Sequence, residues 1–341
     1  MPTLTQRSQK WDILKFFMIF LVVLGHVAEF FTAESQGMRN LFTIIYTVHM
    51  PIFIFVAGLF SKKTVNEKRY DRIFGFLVLY FARKLLPYLY TFSGAKAVGV
   101  NLFSESGVSW FMLAVFAFNL MTVALRSFSP AFISVFAVII ACAAGYDANV
   151  NDFLALSRII IFYPFFWLGY CTDRVKLEKI CDNKKLKFAA ATVIIIFVAA
   201  VIILGDGIYA LKPLLTGRRA YPFIENAPKR GFLFRLGYYA VASLISFAVI
   251  VLTPDKTPKG IVAKLGQRTL AVYVFHYFAI HILFNVFDMK TLLSTPDASG
   301  KIWLIVPLSL IITLIFSLGI FDKAVQFLLN VPKRKTAEIS S

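Results

Sequence analysis

The sequence predicts an all-α, polytopic integral membrane protein with about ten transmembrane helices around a central polar cavity. Three observations carry that expectation. Of 341 residues, 59% are hydrophobic and only 16% charged, too little polar surface for a water-facing globule. The apolar residues fall in blocks of roughly 17 to 25, each able to cross about 30 Å of hydrocarbon as a helix. The cations concentrate in alternate connections between those blocks, as the positive-inside rule requires. Soluble enzymes, fibres and disordered chains are excluded.

The first block, near 12–32, follows a short polar lead of residues 1–11. The segment after it, 33–40, reads AESQGMRN and not a small-residue cleavage site, so a retained span is expected rather than a signal peptide. Further spans are expected near 41–61, 76–98, 108–126, 130–147, 157–172, 187–205, 232–252, 269–287 and 302–331, the last broken near Gly319, followed by a tail at 332–341. With the N-terminus inside, the cytoplasmic connections hold Lys62, Lys63, Lys68, Arg69 and Arg72, then Arg174, Lys176, Lys179, Lys184 and Lys185, then Lys256, Lys259 and Lys264. The tail adds Lys333, Arg334 and Lys335, whereas the short outer segments carry Arg39, Lys96, Lys290 and Lys301. The expected location is a cell membrane, a bacterial inner or plasma membrane, with both termini cytoplasmic and anionic lipid against the basic loops.

Two places break the pattern. Residues 206–231, the longest outer connection, include Lys212, Arg218, Arg219, Lys229 and Arg230; they read either as a solvated loop or as a basic lid over an anionic or sugar-bearing acceptor. Arg83 and Lys84 interrupt the third span. Either 73–82 lies at the interface and the span starts at Leu85, the reading favoured by the cost of buried charge, or two cations sit inside the bundle.

Other classes are set aside on composition. The 36 Lys and Arg against 18 Asp and Glu give a net charge of +18, yet no nucleic-acid-binding module lies between the apolar blocks. Cys142, Cys171 and Cys181 are odd in number and lack metal-ligand spacing, so neither a disulfide framework nor a metal is expected. Internal repeats and low-complexity tracts are not evident in the sequence.

Chemistry is concentrated on the first helix. Asp12, Lys15, His26 and Glu29 lie in WDILKFFMIFLVVLGHVAE. Eleven residues at about 100° each bring His26 to within roughly 20° of the line of Lys15, about 16 Å further along; Asp12 and Glu29 lie some 40° and 60° to either side. All four therefore can face one cavity. A buried charge costs roughly 2.5–3.5 kcal/mol on insertion scales, which makes such groups functional candidates. Imidazole titrates near neutrality, so His26 is the candidate general base, with Glu29 one turn on to orient it. The plainer alternative makes Asp12 and Lys15 snorkelling anchors, Glu29 a solvated end group and His26 a core residue bonded to a neighbouring helix.

These residues resemble the integral-membrane acyltransferase family 3, especially its fucose 4-O-acetylase-like and glycan O-acetyltransferase branch. The family's Asp, Arg or Lys, then His pattern is matched by Asp12, Lys15 and His26; its His-Met-Pro stretch by His49, Met50, Pro51, Ile52 and Phe53 with Ala57-Gly58. A basic pair before Pro-Tyr follows as Arg83, Lys84, Pro87 and Tyr88, then Trp110-Phe111-Met112-Leu113, Phe162 to Phe166 with Gly169-Tyr170, and Leu265-Gly266, Thr269-Leu270, Tyr273 and His276. Lys15 stands where many members have Arg, and Ala57 where Ser is usual; Lys lacks the planar fork that holds an anion bidentately.

The resemblance implies one acyltransferase-3-like domain over 1–341 that moves acetyl from cytoplasmic acetyl-CoA to a sugar hydroxyl of a surface glycan or lipid-linked sugar, with no metal required. On it, His26 acts as general base or, less directly, as a covalent carrier; Lys15 stabilises negative charge on the donor or on Asp12. Arg83 and Lys84 meet donor phosphates at the inner boundary, or simply anchor a span there. Trp110 stacks on a sugar or on adenine, or belongs to the interfacial belt. His49, beside a helix-bending proline, and Tyr273 with His276, one turn apart, are substrate-side candidates; for His276 a helix-bridging hydrogen bond is the favoured reading. The competing classes are a proton- or ion-coupled transporter that uses the same buried groups as a relay, and a flippase-like or sensory protein that keeps the scaffold without the chemistry.

Overall fold

The computed structural model describes residues 8–86, 101–105, 107–223, 229–294 and 301–333. In chain order the helices are α1 (Gln9–Glu29), α2 (Gln36–Leu59), α3 (Lys62–Asn66), α4 (Tyr70–Leu85), α5 (Trp110–Leu125), α6 (Pro130–Ala144), α7 (Leu156–Cys171), α8 (Arg174–Cys181), α9 (Lys184–Leu204), α10 (Asp206–Tyr209) and α11 (Lys212–Thr216). After them come α12 (Gly231–Leu252), α13 (Ile261–Gly266), α14 (Thr269–His281), α15 (Met289–Leu293), α16 (Ile305–Phe316) and α17 (Gly319–Leu329). Among the described residues there is no β-strand, only a lone antiparallel bridge between Ser104 and Phe153.

Among the described residues, five helical segments are long and apolar enough to cross a membrane: α1, α2, α9, α12 and Thr269–Val286, where α14 continues into a π-helical turn. Ile302–Phe316 and α17 make a sixth if counted together, bent by 59° at the break before Gly319. The Ser317 hydroxyl bonds back to the Thr313 carbonyl at 2.7 Å, a contact that competes with the backbone ladder and bends helices there. The expected count of about ten is thus not reached by length and composition. The segments near 108–126, 130–147 and 157–172 do form apolar helices, but α5, α6 and α7 have only 16, 15 and 16 residues.

Helix α1 is the axis of the fold, with α2, α13, α14 and α16 packed round it. Ile13, Leu14, Ile19, Val23 and Val27 are wholly inaccessible, so a helix hydrophobic on nearly every face is a buried one. Small residues allow the closest crossings. A Cβ at Gly58 would strike the Phe166 carbonyl and one at Gly169 the Phe55 carbonyl, so α2 and α7 meet backbone to backbone. Gly266 does the same for α13 against the Asp12 carbonyl.

α4 runs unbroken from Tyr70 to Leu85, so residues 73–82 and the two cations that interrupt the expected third span belong to one helix. Ile73, Leu79, Tyr80 and Arg83 are buried, because α4 packs against α5 and α17. The two cations lie inside the bundle, where segment 101–105 supplies oxygens for Lys84. Pro87, Tyr88 and Lys96, and the rest of the expected span to 98, lie outside the described residues, as do Arg334 and Lys335.

Candidate active site

Ser35, as N-cap of α2, and the unbroken helix that follows bring Tyr46 and His49 opposite the last turns of α1. Together with Trp110 on α5, Arg158 on α7, and Tyr273 and Tyr277 on α14, they enclose with His26 and Glu29 a cavity of about 300 Å³. Leu215, Thr216 and Arg218, from the connection after α10, form the remaining wall.

Around His26 the contacts define a relay. The Tyr46 hydroxyl donates to Glu29 Oε2 at 3.5 Å and lies 3.4 Å from His26 Nδ1. A hydroxyl that donates to the carboxylate accepts from Nδ1–H, which leaves the imidazole lone pair on Nε2. His276 stacks on the His26 ring at 5.5 Å, and Tyr277 meets it edge-on at 5.6 Å, so the ring plane is fixed. Glu29 is in turn paired with Lys212 at 2.8 Å, which ties the basic connection over the cavity. Glu29 and His26 are therefore linked through the Tyr46 hydroxyl.

Two of the other three histidines, His49 and His276, are tied to their own helices. His49 Nδ1 lies 2.7 Å from the Ile45 carbonyl, which only accepts, so Nδ1 carries the proton and Nε2 is the acceptor. His276 Nδ1 bonds the Val272 and Tyr273 carbonyls at 3.0 and 2.9 Å. The helix-bridging hydrogen bond expected of His276 is not made: Nδ1 bonds within α14, and Nε2 is buried with no hydrogen-bond partner among the described residues.

Charge converges on the same cavity. Arg158 stands 4.8 Å from the Trp110 ring, and Trp110 stacks on Phe162 at 5.5 Å. The Arg158 guanidinium donates to the carbonyls of Glu105 and Gly107, while Asp152 receives a two-pronged pair from Arg218 at 3.1 and 2.6 Å. Lys84 pairs with Glu105 at 2.8 Å and donates to the Asn101 and Ser104 carbonyls. Arg83 and Lys84 thus stand at the end of α4 remote from Tyr70, on the His26 side of the bundle. Fourteen residues carry Lys84 about 21 Å along α4 from Tyr70.

Lys15 and Asp12 are elsewhere. They pair at 2.8 Å, with Asp12 buried, and Lys15 lines a second cavity of about 280 Å³ with Phe53, Phe111, Gln267 and Gln326. This cleft merges through Ala57, Phe60, Phe76, Val115 and Gln326 with a further cavity of about 350 Å³ that reaches Ser61, Thr64, Arg72 and Asn330. The four polar groups of α1 therefore do not share one cavity. Angular position along α1 aligns them, but the 16 Å of rise puts a partition between. Tyr273 is that partition, since it lines both the His26 cavity and the Lys15 cleft, its hydroxyl bonded to the Val108 carbonyl at 2.6 Å.

Tyr46, Arg158 and Tyr277 are site residues that sequence reasoning did not single out, whereas Arg218 was named with the basic 206–231 connection. Arg158 alone carried a usable signal, as a cation at the start of an apolar block. Among the described residues no group of His, Cys, Asp or Glu is placed to hold a metal ion.

Comparison with known proteins now bears on this geometry. A family model described as an acyltransferase domain, acyltransferase family 3, matches residues 9–322. The nodulation protein NolL of Sinorhizobium fredii is 24% identical over 326 residues, covering 86% of this chain and 85% of that protein. NolL of Mesorhizobium japonicum is 21% identical over 294 residues, covering 79% and 75%. No solved structure matches the chain. The family match takes in His26, Lys15 and the Tyr273 partition between them, and the chain belongs to acyltransferase family 3.

Proposed function

We propose that this protein transfers an acetyl group from cytoplasmic acetyl-CoA to a hydroxyl of a sugar in a cell-surface glycan, with His26 as general base. The observation that carries it is the Glu29–Tyr46–His26 relay at one face of Tyr273, with a cation-bearing apolar cleft at the other. In this reading the protein crosses the membrane with about ten helices and both termini inside, so the Lys15 cleft opens to the cytoplasm.

The donor lies in the Lys15 cleft with its thioester at Tyr273. Arg72 and Lys15 supply positive charge for its phosphates, and the apolar walls take the pantetheine arm. The acceptor lies in the His26 cavity, where Trp110 offers an aromatic face and His49 Nε2 accepts from a sugar hydroxyl. His26 Nε2 takes the proton of the reacting hydroxyl as its oxygen bonds the acetyl carbon; the C–S bond then breaks, and the thiolate takes a proton from the donor side. Arg158 and Arg218 set a positive potential where the oxyanion develops. Positioning of two substrates and removal of one proton suffice for an activated thioester.

The test is single-turnover transfer of labelled acetyl from acetyl-CoA to cell-envelope glycans by protein in lipid, with His26→Ala alongside. Transfer by the parent and none by the variant supports the reading. If neither binds nor consumes acetyl-CoA, the reading is wrong. A second reading has one observation in its favour: two cavities meeting at a single residue is also the geometry of a proton-coupled transporter. It requires solute uptake without acetyl-CoA.

A further inference from the structure

A third cavity has no part in this scheme. Of about 620 Å³, against about 300 Å³ for the His26 cavity, it lies between α9 and α12 under the α10–α11 connection. Its long wall is one stripe of α12 and the residue before it, with Arg230, Leu233, Phe234, Gly237 and Val241 at intervals of three and four. At 1.5 Å per residue the stripe is about 16 Å long, parallel to a helix that itself is long enough to span a bilayer. The wall is apolar along its length and ends at Arg230, the one cation among the described residues that lines it.

Three features decide what the slot suits. Its volume is that of a small-molecule site. An elongated apolar trough with a cation at its mouth complements an amphiphile with a hydrocarbon chain and an anionic group at one end. And the slot abuts the His26 cavity, because Leu215 lines both, while the next residue Thr216 and then Arg218 line only the latter. The slot is thus one leucine side chain from the reaction cavity. Gly237 keeps the trough open: a Cβ placed there meets no atom within 4 Å.

We propose that this slot binds the hydrocarbon chain of a lipid-linked saccharide, with its phosphate at Arg230 and its sugar reaching past Leu215 to His26. This rests on the acyl-transfer reading and narrows its acceptor class from surface glycan to membrane-anchored intermediate. The saccharide must then be supplied by a glycosyl transfer onto a lipid phosphate and be consumed after acetylation.

The experiment uses the full chain in phosphatidylethanolamine vesicles with labelled acetyl-CoA. Glucose, fucose and N-acetylglucosamine are each offered joined through phosphate to a long-chain prenol and as the water-soluble sugar phosphate. The parent protein is expected to favour the prenol-linked form by about tenfold or more in kcat/KM. Gly237→Leu, which fills the trough, is expected to remove that preference while turnover of the soluble form stays unchanged, which also shows the variant to be folded; Arg230→Gln, which removes the phosphate contact common to both forms, is expected to lower kcat/KM for both. Equal use of both forms by the parent, or equal effects of Gly237→Leu on both, overturns the proposal and leaves the acyl-transfer reading standing. No transfer to either form overturns both. Competition by phosphatidylglycerol as strong as by prenyl phosphate makes the slot a general lipid site and overturns the proposal alone.

Discussion

Replacing Tyr46 by phenylalanine removes one oxygen and leaves the ring, which stacks on Phe42 at 3.8 Å and meets His49 edge-on at 4.7 Å. The fold around the site is retained. What is lost are the two contacts of 3.5 Å to Glu29 and 3.4 Å to His26, both at the long end of the hydrogen-bond range. Each is worth about 0.5–1 kcal/mol, so the variant loses about 1–2 kcal/mol of preference for the tautomer with Nε2 free. That converts to a roughly 5- to 30-fold fall in kcat, compared with about 10²–10⁴ for loss of the base in His26→Ala. The KM for acetyl-CoA should not change, because Tyr46 lines only the acceptor side. Glu29→Gln should produce a similar fall, and the double variant little more than either, since both cut the same relay. Transfer rates of the two single variants and the double variant at saturating donor decide it. A kcat within twofold of the parent, or effects that multiply in the double variant, refutes the relay.

Lys15→Met should raise the KM for acetyl-CoA about tenfold with kcat little changed, by removing the ammonium of the donor cleft, as measured in the same transfer assay. Asn183 caps α9 through its side chain to the Lys185 and Leu186 amides at 2.9 and 3.3 Å, so Asn183→Ala should cost about 1 kcal/mol in detergent unfolding. Gly58→Leu should leave no correctly folded fraction by size-exclusion, because the Cβ enters the Phe166 backbone and neither helix can withdraw. The Lys290 ammonium, hydrogen-bonded to Glu34, holds that carboxyl below the usual range, and Ser294 adds to this. The tie of α15 to the α1–α2 turn is therefore whole above the ordinary carboxylate range and is lost as pH falls through the lowered value; amide exchange across Met289–Leu293 should quicken there and not at neutral pH.

How far the sequence disclosed the site follows from what a pattern can encode. Hydropathy located the apolar segments, and the break before Gly319 was legible as a glycine in an apolar run. The charge on Lys84 was legible as a cost, but its relief was not: Glu105 and the Asn101 and Ser104 carbonyls come from a segment that only the fold brings beside α4. Periodicity placed Lys15 and His26 on one line because it encodes angle; it does not encode what a neighbouring helix inserts between two points on that line, here the Tyr273 ring. Tyr46 is one of 14 tyrosines in a chain rich in aromatics, and nothing local distinguishes it from packing. Its role exists only once α1 and α2 are side by side.

The Tyr273 partition also bears on membrane energetics. Charged groups are reachable on both sides of it, with Lys15 23% and Glu29 42% exposed. A potential that in plain bilayer falls across about 30 Å of hydrocarbon is therefore focused across one layer of aromatic rings. In the proposed reaction each turnover sets free one proton at the His26 side and takes one up at the Lys15 side, equivalent to one positive charge carried outward. An interior-negative potential opposes that by about 2.3 kcal/mol per 100 mV, so acetylation in vesicles should slow when a potassium gradient makes the donor side negative and quicken when the gradient is reversed. An enzyme built this way reports the energised state of its membrane through its own rate.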